Sequence, residues 1–165
     1  MKKGKREQQM KENTISRKLP IGIQDFGKIR TEGYLYVDKT EYVFRLAQSG
    51  MPYFLSRPRR FGKSLLLSTL RAYFEGKKEL FLGLKIEKLE NEMDDPWQEY
   101  PVFYFDFNKK NFKEKAAFED VLDEHLKEWE EKYGDEYAKE PLEARFRRLI
   151  EKAYKLTGKN VVVLV

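Results

Sequence analysis

An apolar triplet, Tyr53-Phe54-Leu55, runs into the loop Ser56-Arg57-Pro58-Arg59-Arg60-Phe61, and helical spacing begins after Gly62-Lys63-Ser64. Leu65, Leu66, Leu70 and Phe74 recur at helical intervals, and Gly76 is a suitable C-terminal stop. The triplet reads as a buried strand, so the local order is strand, loop, helix.

The rest of the chain repeats that alternation. Leu19-Pro20-Ile21-Gly22-Ile23 is an extended lead-in and Tyr34–Val37 a short strand. Asp38 then caps a helix from Lys39 to Gln48, with Tyr42, Val43 and Leu46 on one face and Gly50 ending it. No long element is expected in the mixed, charged stretch 77–99. Val102–Phe105 is a second buried strand, and a helix over 113–133 carries Phe118, Val121, Leu122, His125, Trp129 and Tyr133 along one stripe. Pro141 suits the first turn of another helix, with Leu142, Phe146, Leu149, Ile150 and Tyr154 on its face and Thr157-Gly158 at its end. The apolar run Val161–Val165 is typical of a strand covered on both faces. Such an order predicts an α/β domain with a mainly parallel sheet.

Charge narrows the candidate functions. The chain has 33 Lys and Arg against 28 Asp and Glu, a net +5. Seven of the basic residues and only two acids, Glu7 and Glu12, fall within residues 1–18, so this polar segment carries the whole excess. It reads as a disordered basic tail, and the body from residue 19 onward is neutral. A nucleic-acid role would therefore rest on the tail rather than on the folded part. There is no cysteine, which excludes disulfides and thiolate metal sites. No run approaches the roughly 18 apolar residues of a membrane helix, and no secretory signal is visible, so a cytoplasmic location is expected.

The chemistry concentrates in the loop. A phosphate cradle needs converging backbone N–H groups, a helix N-terminus behind them, a lysine and a hydroxyl. Gly62 gives backbone clearance, Lys63 the charge for the β- and γ-phosphates, and Ser64 the oxygen for Mg²⁺. The usual phosphate-loop spacing has glycine where this chain has Arg57. If that position needed positive φ, arginine there would cost about 1 kcal/mol or more. Pro58 biases Arg57 toward extended geometry, so the loop is expected to begin differently.

Three segments carry a family resemblance: Leu19-Pro20-Ile21-Gly22-Ile23-Gln24-Asp25-Phe26, Tyr36-Val37-Asp38-Lys39-Thr40 and Phe54-Leu55-Ser56-Arg57-Pro58-Arg59-Arg60-Phe61-Gly62-Lys63-Ser64. They resemble the bacterial AAA-ATPase-like proteins, over about residues 19–165, and the R-P-R-R-F-G-K-S loop is close to diagnostic. Arg57 is then a family trait, close to the G-x-R-R-x-G-K-[ST] loop of related signalling ATPases. The resemblance implies a three-layer P-loop NTPase fold, incomplete at its C-terminus, that binds ATP and Mg²⁺. The cofactor-binding residues would be Arg57, Pro58, Arg59, Arg60, Phe61, Gly62, Lys63 and Ser64, with Ser64 the metal ligand.

In that family an acidic pair follows the strand matching Val161–Val165, where it holds Mg²⁺ and polarises the attacking water. A further strand lies between the phosphate-loop strand and that one, and a domain similar to the PD-(D/E)XK nucleases commonly follows. The resemblance therefore implies an N-terminal fragment that holds binding groups without the hydrolytic ones. It would leave apolar faces exposed, to be met by the rest of a longer chain or by self-association. A non-catalytic module that binds nucleotide weakly or not at all is the competing reading.

Other residues admit plainer roles. Asp106 at the end of the second strand is an internal acid beside a sheet edge, or a strand-end cap. The arginines of the loop touch phosphate, pair with local acids, or face solvent. Tyr36–Thr40 approaches an adenine or ribose, or simply caps a helix. His125 is expected as a packed histidine, Trp97 and Trp129 as core or rim anchors, and the Glu and Lys between 113 and 140 as a solvated helix face.

Overall fold

The computed structural model describes residues 18–107, 115–134 and 140–165. The tail expected over 1–18 lies, but for Lys18, outside the described residues, as do residues 113–114 of the expected long helix. Among the described residues, seven regular elements and a 3-10 turn precede the last strand: α1 (Phe26–Thr31), α2 (Thr40–Gln48), α3 (Lys63–Phe74), the 3-10 turn Lys78–Phe81, α4 (Lys85–Asn91), β1 (Val102–Tyr104), α5 (Lys115–Tyr133) and α6 (Leu142–Thr157), then β2 (Val162–Leu164). The chain is α/β, with helix predominant and, among the described residues, one parallel strand pair in which Phe103 lies opposite Val163.

Two hydrophobic cores organise these elements. In β1 successive side chains point to opposite faces. Phe103, with Phe105 just beyond the strand, packs with Leu126, Trp129 and Tyr133 of α5 and with Leu149 and Ala153 of α6. The Phe103 and Trp129 rings stack at 4.4 Å. On the other face the Arg71 guanidinium of α3 lies over the Tyr104 ring at 5.3 Å. The second core joins α1, α2, α3, the 3-10 turn and α4 through Phe26, Val43, Tyr73, Phe81 and Ile86.

A buried ion group fastens α5 to α6. Arg145 is only 2% exposed and makes two bonds to Glu130, at 2.6 and 2.8 Å, and another to Asp123. The expected solvated face is thus real for the Asp123–Lys127 pair, one turn apart, and wrong for Glu130, which is buried. Alternating charge in the sequence could not separate these cases, because Arg145 lies on another helix.

A second fastening starts at Asp38, which accepts from the Thr40 N–H and hydroxyl and from the Lys85 N–H. Thr40 Oγ1 in turn accepts the Ile86 N–H at 3.1 Å. The N-cap of α2 is Lys39 rather than the expected Asp38, which from one residue earlier accepts the first helical N–H and also ties α2 to α4. Desolvation pushes its carboxyl up, but the Thr40 and Lys85 hydrogen bonds prevail and hold it below the ordinary aspartate range.

Several expectations need correction. Tyr34–Val37 is extended but joins no sheet. Tyr53-Phe54-Leu55 is neither a strand nor buried: Phe54 is 94% exposed, and among the described residues no backbone–backbone hydrogen bond involves the triplet. Apolarity marked a segment suited to a sheet, and no neighbouring strand reaches it. Val163 and Val165 are exposed, so the last strand is covered less completely than its composition suggested. The short helix α1, capped by Asp25 on the Lys28 N–H, was not anticipated. Nor were the 3-10 turn and α4 within 77–99, which supply buried Leu80, Phe81 and Ile86.

Candidate functional site

The loop stands where α3 begins. Gly62 occupies the N-cap with φ 78°, a left-handed conformation natural to glycine, and has no side chain to cap the helix. The first N–H groups of α3 have no intrahelical acceptors, so their partial positive charge faces the loop. A Cβ built on Gly62 would meet nothing within 4 Å, so backbone conformation and not crowding demands glycine here.

Arg57 is not left-handed; that conformation falls on Arg60, with φ 67°. The loop therefore begins differently from the usual pattern, as Pro58 suggested, and turns at Arg60 and Gly62. An arginine held there stores about 1 kcal/mol of strain. Lys63 Nζ donates to the Arg57 carbonyl at 2.7 Å, closing the loop across its own mouth. Residues 57–63 are all exposed, and Ser64 is half-buried. Among the described residues no carboxylate pairs with Arg57, Arg59, Arg60 or Lys63, so the loop's positive charge is uncompensated.

Ser64 and Ser68 share a face of α3, and Ser68 Oγ accepts the Phe26 N–H at 2.9 Å. Below them a cleft of about 230 Å³ is lined by Asp25, Gly27, Ser68, Arg71, Glu75 and Lys77 among others. Its cations are spent: Arg71 and Lys77 both pair with Glu75, at 2.7 and 2.5 Å. Burial raises the Glu75 carboxyl, but Lys77 and Arg71 overcome that and bring it below the ordinary glutamate range. An anion would find less attraction in this cleft than at the loop.

The remaining candidates resolve into packing. Tyr36 meets Phe26 edge-on at 5.2 Å, and Thr40 is fully buried, so Tyr36, Asp38 and Thr40 spend their side chains on structure. Leu35 and Val37, between them, point outward. His125 Nε2 accepts the Asp106 N–H at 3.3 Å, and its ring stacks on Trp129. The packed-histidine expectation stands. Trp129 is a core residue, and Trp97 packs partly buried against Tyr73 and Phe81. Among the described residues no cluster of three or more His, Asp or Glu could hold a metal. Sequence reasoning missed Arg60 as a turning point and Ser68 as an anchor. Pro58 hinted at the first, and Ser68's helical spacing from Ser64 was the available signal for the second.

A family model described as "Predicted AAA-ATPase" matches residues 20–165. The chain belongs to this AAA-ATPase-like family. The family chain is also 41% identical over 153 residues to a protein of Azotobacter chroococcum mcd 1, described as "Uncharacterized protein in vnfD 5'region". That alignment takes in 90% of this chain and 28% of the relative, so the chain spans a little over a quarter of the relative's length. No solved structure matches. No helix among the described residues is long and apolar enough to cross a membrane.

Proposed function

We propose that Arg57-Pro58-Arg59-Arg60-Phe61-Gly62-Lys63-Ser64 binds the phosphates of a nucleoside triphosphate, ATP being the expected one. What carries the reading is the uncapped start of α3 behind a left-handed Gly62, surrounded by uncompensated cations. The α3 N–H groups would receive phosphate oxygens, and Lys63 Nζ would exchange the Arg57 carbonyl for the β- and γ-phosphates. Arg57, Arg59 and Arg60 would add guanidinium contacts, with Pro58 and Phe61 completing the loop between them.

Ser64 Oγ would hold Mg²⁺, which neutralises phosphate charge when bound. The loop has no acidic residue of its own to compete for that ion. In this reading α3 is the helix that follows the phosphate loop of a three-layer P-loop domain, and the parent activity of longer relatives is ATP hydrolysis. The family membership supports an ATPase-like role.

Calorimetric titration with ATPγS, with and without Mg²⁺, tests the proposal on the intact chain and on Lys63→Ala. Mg²⁺-enhanced binding that Lys63→Ala weakens at least tenfold is expected. Equal signals for both proteins would sink it, and no binding by either would leave the non-catalytic module as the description.

A further inference from the structure

Among the described residues two that are not glycine have positive φ, Trp97 at 57° and Arg60 at 67°. Such backbone strains any residue with a side chain. Packing accounts for Trp97. Its N–H donates to the carboxylate of buried Glu90 at 2.7 Å, and its ring lies against Phe81 and Tyr73, with centroids 5.5 and 6.1 Å apart. Arg60 has no such setting. It is exposed and, among the described residues, its side chain makes no hydrogen bond, ion pair or ring contact. The bond that spans it joins Lys63 Nζ to the Arg57 carbonyl at 2.7 Å, and phosphate binding would break that bond. Strain at a solvent-exposed loop residue, with no core to impose it, points to use rather than to folding.

The position of the strain indicates the use. Gly62 is left-handed as well, at φ 78°, whereas Phe61 between them is not, and Lys63 begins the right-handed helix α3. The sign of φ therefore changes at each step from Arg60 to Lys63. Successive N–H groups in backbone of alternating hand turn to one side and form a concavity that receives an anion. The first N–H groups of α3, which lack intrahelical acceptors, continue the series.

We propose that Arg60 is a positioning residue whose left-handed main chain, separately from its charge, turns the N–H groups of the loop onto phosphate oxygens. The inference rests on the phosphate-loop reading and deepens it. The loop described above is then already in its binding shape. A residue at position 60 that abandons left-handed backbone in the free chain must be returned to it when the anion arrives. Affinity falls in proportion to the free chain's occupancy of that shape. Glycine adopts it without strain and asparagine tolerates it, whereas alanine does neither.

Titrations of inorganic tripolyphosphate and of ATP in Mg²⁺ buffer isolate the backbone, using the intact chain and its variants Arg60→Gly, Arg60→Asn, Arg60→Ala and Lys63→Ala. All three changes at Arg60 remove the guanidinium, so differences among them report conformation. Arg60→Gly should bind both ligands about fivefold more tightly than Arg60→Ala. Arg60→Asn should fall between them, which repeats the comparison without the extra freedom of glycine. Position 60 is exposed, and an unchanged circular dichroism spectrum checks that each variant is folded. Lys63→Ala should weaken both ligands.

If Arg60→Ala binds as tightly as Arg60→Gly and Arg60→Asn, or more tightly, left-handed backbone is not the binding form. That result overturns the positioning role, while weakening by Lys63→Ala leaves the phosphate loop standing. Equal losses in all three, relative to the unaltered chain, would overturn it too and assign Arg60 to charge alone. Failure of the unaltered chain to bind either ligand overturns the phosphate reading itself, and this one with it.

Discussion

Arg145 and the arginines of the loop carry the same side chain in opposite circumstances. Arg145 is buried between two helices, its guanidinium engaged by Glu130 and Asp123. Arg57, Arg59 and Arg60 stand in solvent with no carboxylate beside them among the described residues. A buried charge must be paired or the fold fails. An exposed cluster of like charge contributes little to stability and keeps its field for a ligand. The comparison teaches that the basic residues of one chain divide by what neutralises them, which composition cannot reveal.

Substitutions test that division. Arg145→Ala leaves Glu130 buried and unpaired, and urea unfolding should report a loss of about 3–5 kcal/mol. If the loss is below about 1 kcal/mol, the pair is not buried as described. Lys63→Ala should change the same unfolding curve by no more than about 0.5 kcal/mol, while reducing nucleotide binding free energy by about 1.5–3 kcal/mol. A large stability loss would mean that the Lys63–Arg57 bond belongs to the fold rather than to the site.

Gly62→Ala forces a side chain into left-handed backbone and should cost about 1 kcal/mol in stability. The altered loop should also bind nucleotide more weakly in the same titration, and unchanged affinity would show that the observed turn is not the binding conformation.

The smallest effect concerns acid. Lys127 and then Arg145, outweighing desolvation, hold the Asp123 carboxyl below the ordinary aspartate range. The folded state therefore binds fewer protons than the unfolded one over that interval. The resulting stability is present above the ordinary aspartate pKa and lost as pH falls through the depressed one. Asp123→Asn should flatten the fall in melting temperature below about pH 4, and an unchanged acid limb would place the loss in other carboxylates.

Local signals made much of the fold legible. Leu65, Leu66, Leu70 and Phe74 announced α3, and Pro141 and Gly158 bracketed α6. Gly62-Lys63-Ser64 marked the start of the helix behind the loop. What stayed illegible depended on distant residues. Tyr53-Phe54-Leu55 had a strand's composition, but a strand exists only beside another, and no residue within the triplet reports whether one is there. Glu130 resembled its solvated neighbours because its partner is 15 residues away. The helix α1 is six residues long, too short for periodicity to register. In the site, Pro58 revealed that Arg57 would not turn the loop, but which residue would turn it followed only from the fold.

The clasp from Asp38 and Thr40 to Lys85 and Ile86 has a consequence for a cut chain. The loop lies between the clasped residues, so the stretch containing it is fastened at both ends. Trypsin can reach the exposed bonds after Arg59 and Arg60, whereas Pro58 shields the one after Arg57. A single nick there separates two pieces by sequence but not in space, since Phe26 and Val43 on one side share a core with Phe81 and Ile86 on the other. Such a chain would run as two bands when denatured and travel as one particle when native. This exposed loop can thus be severed without the body coming apart.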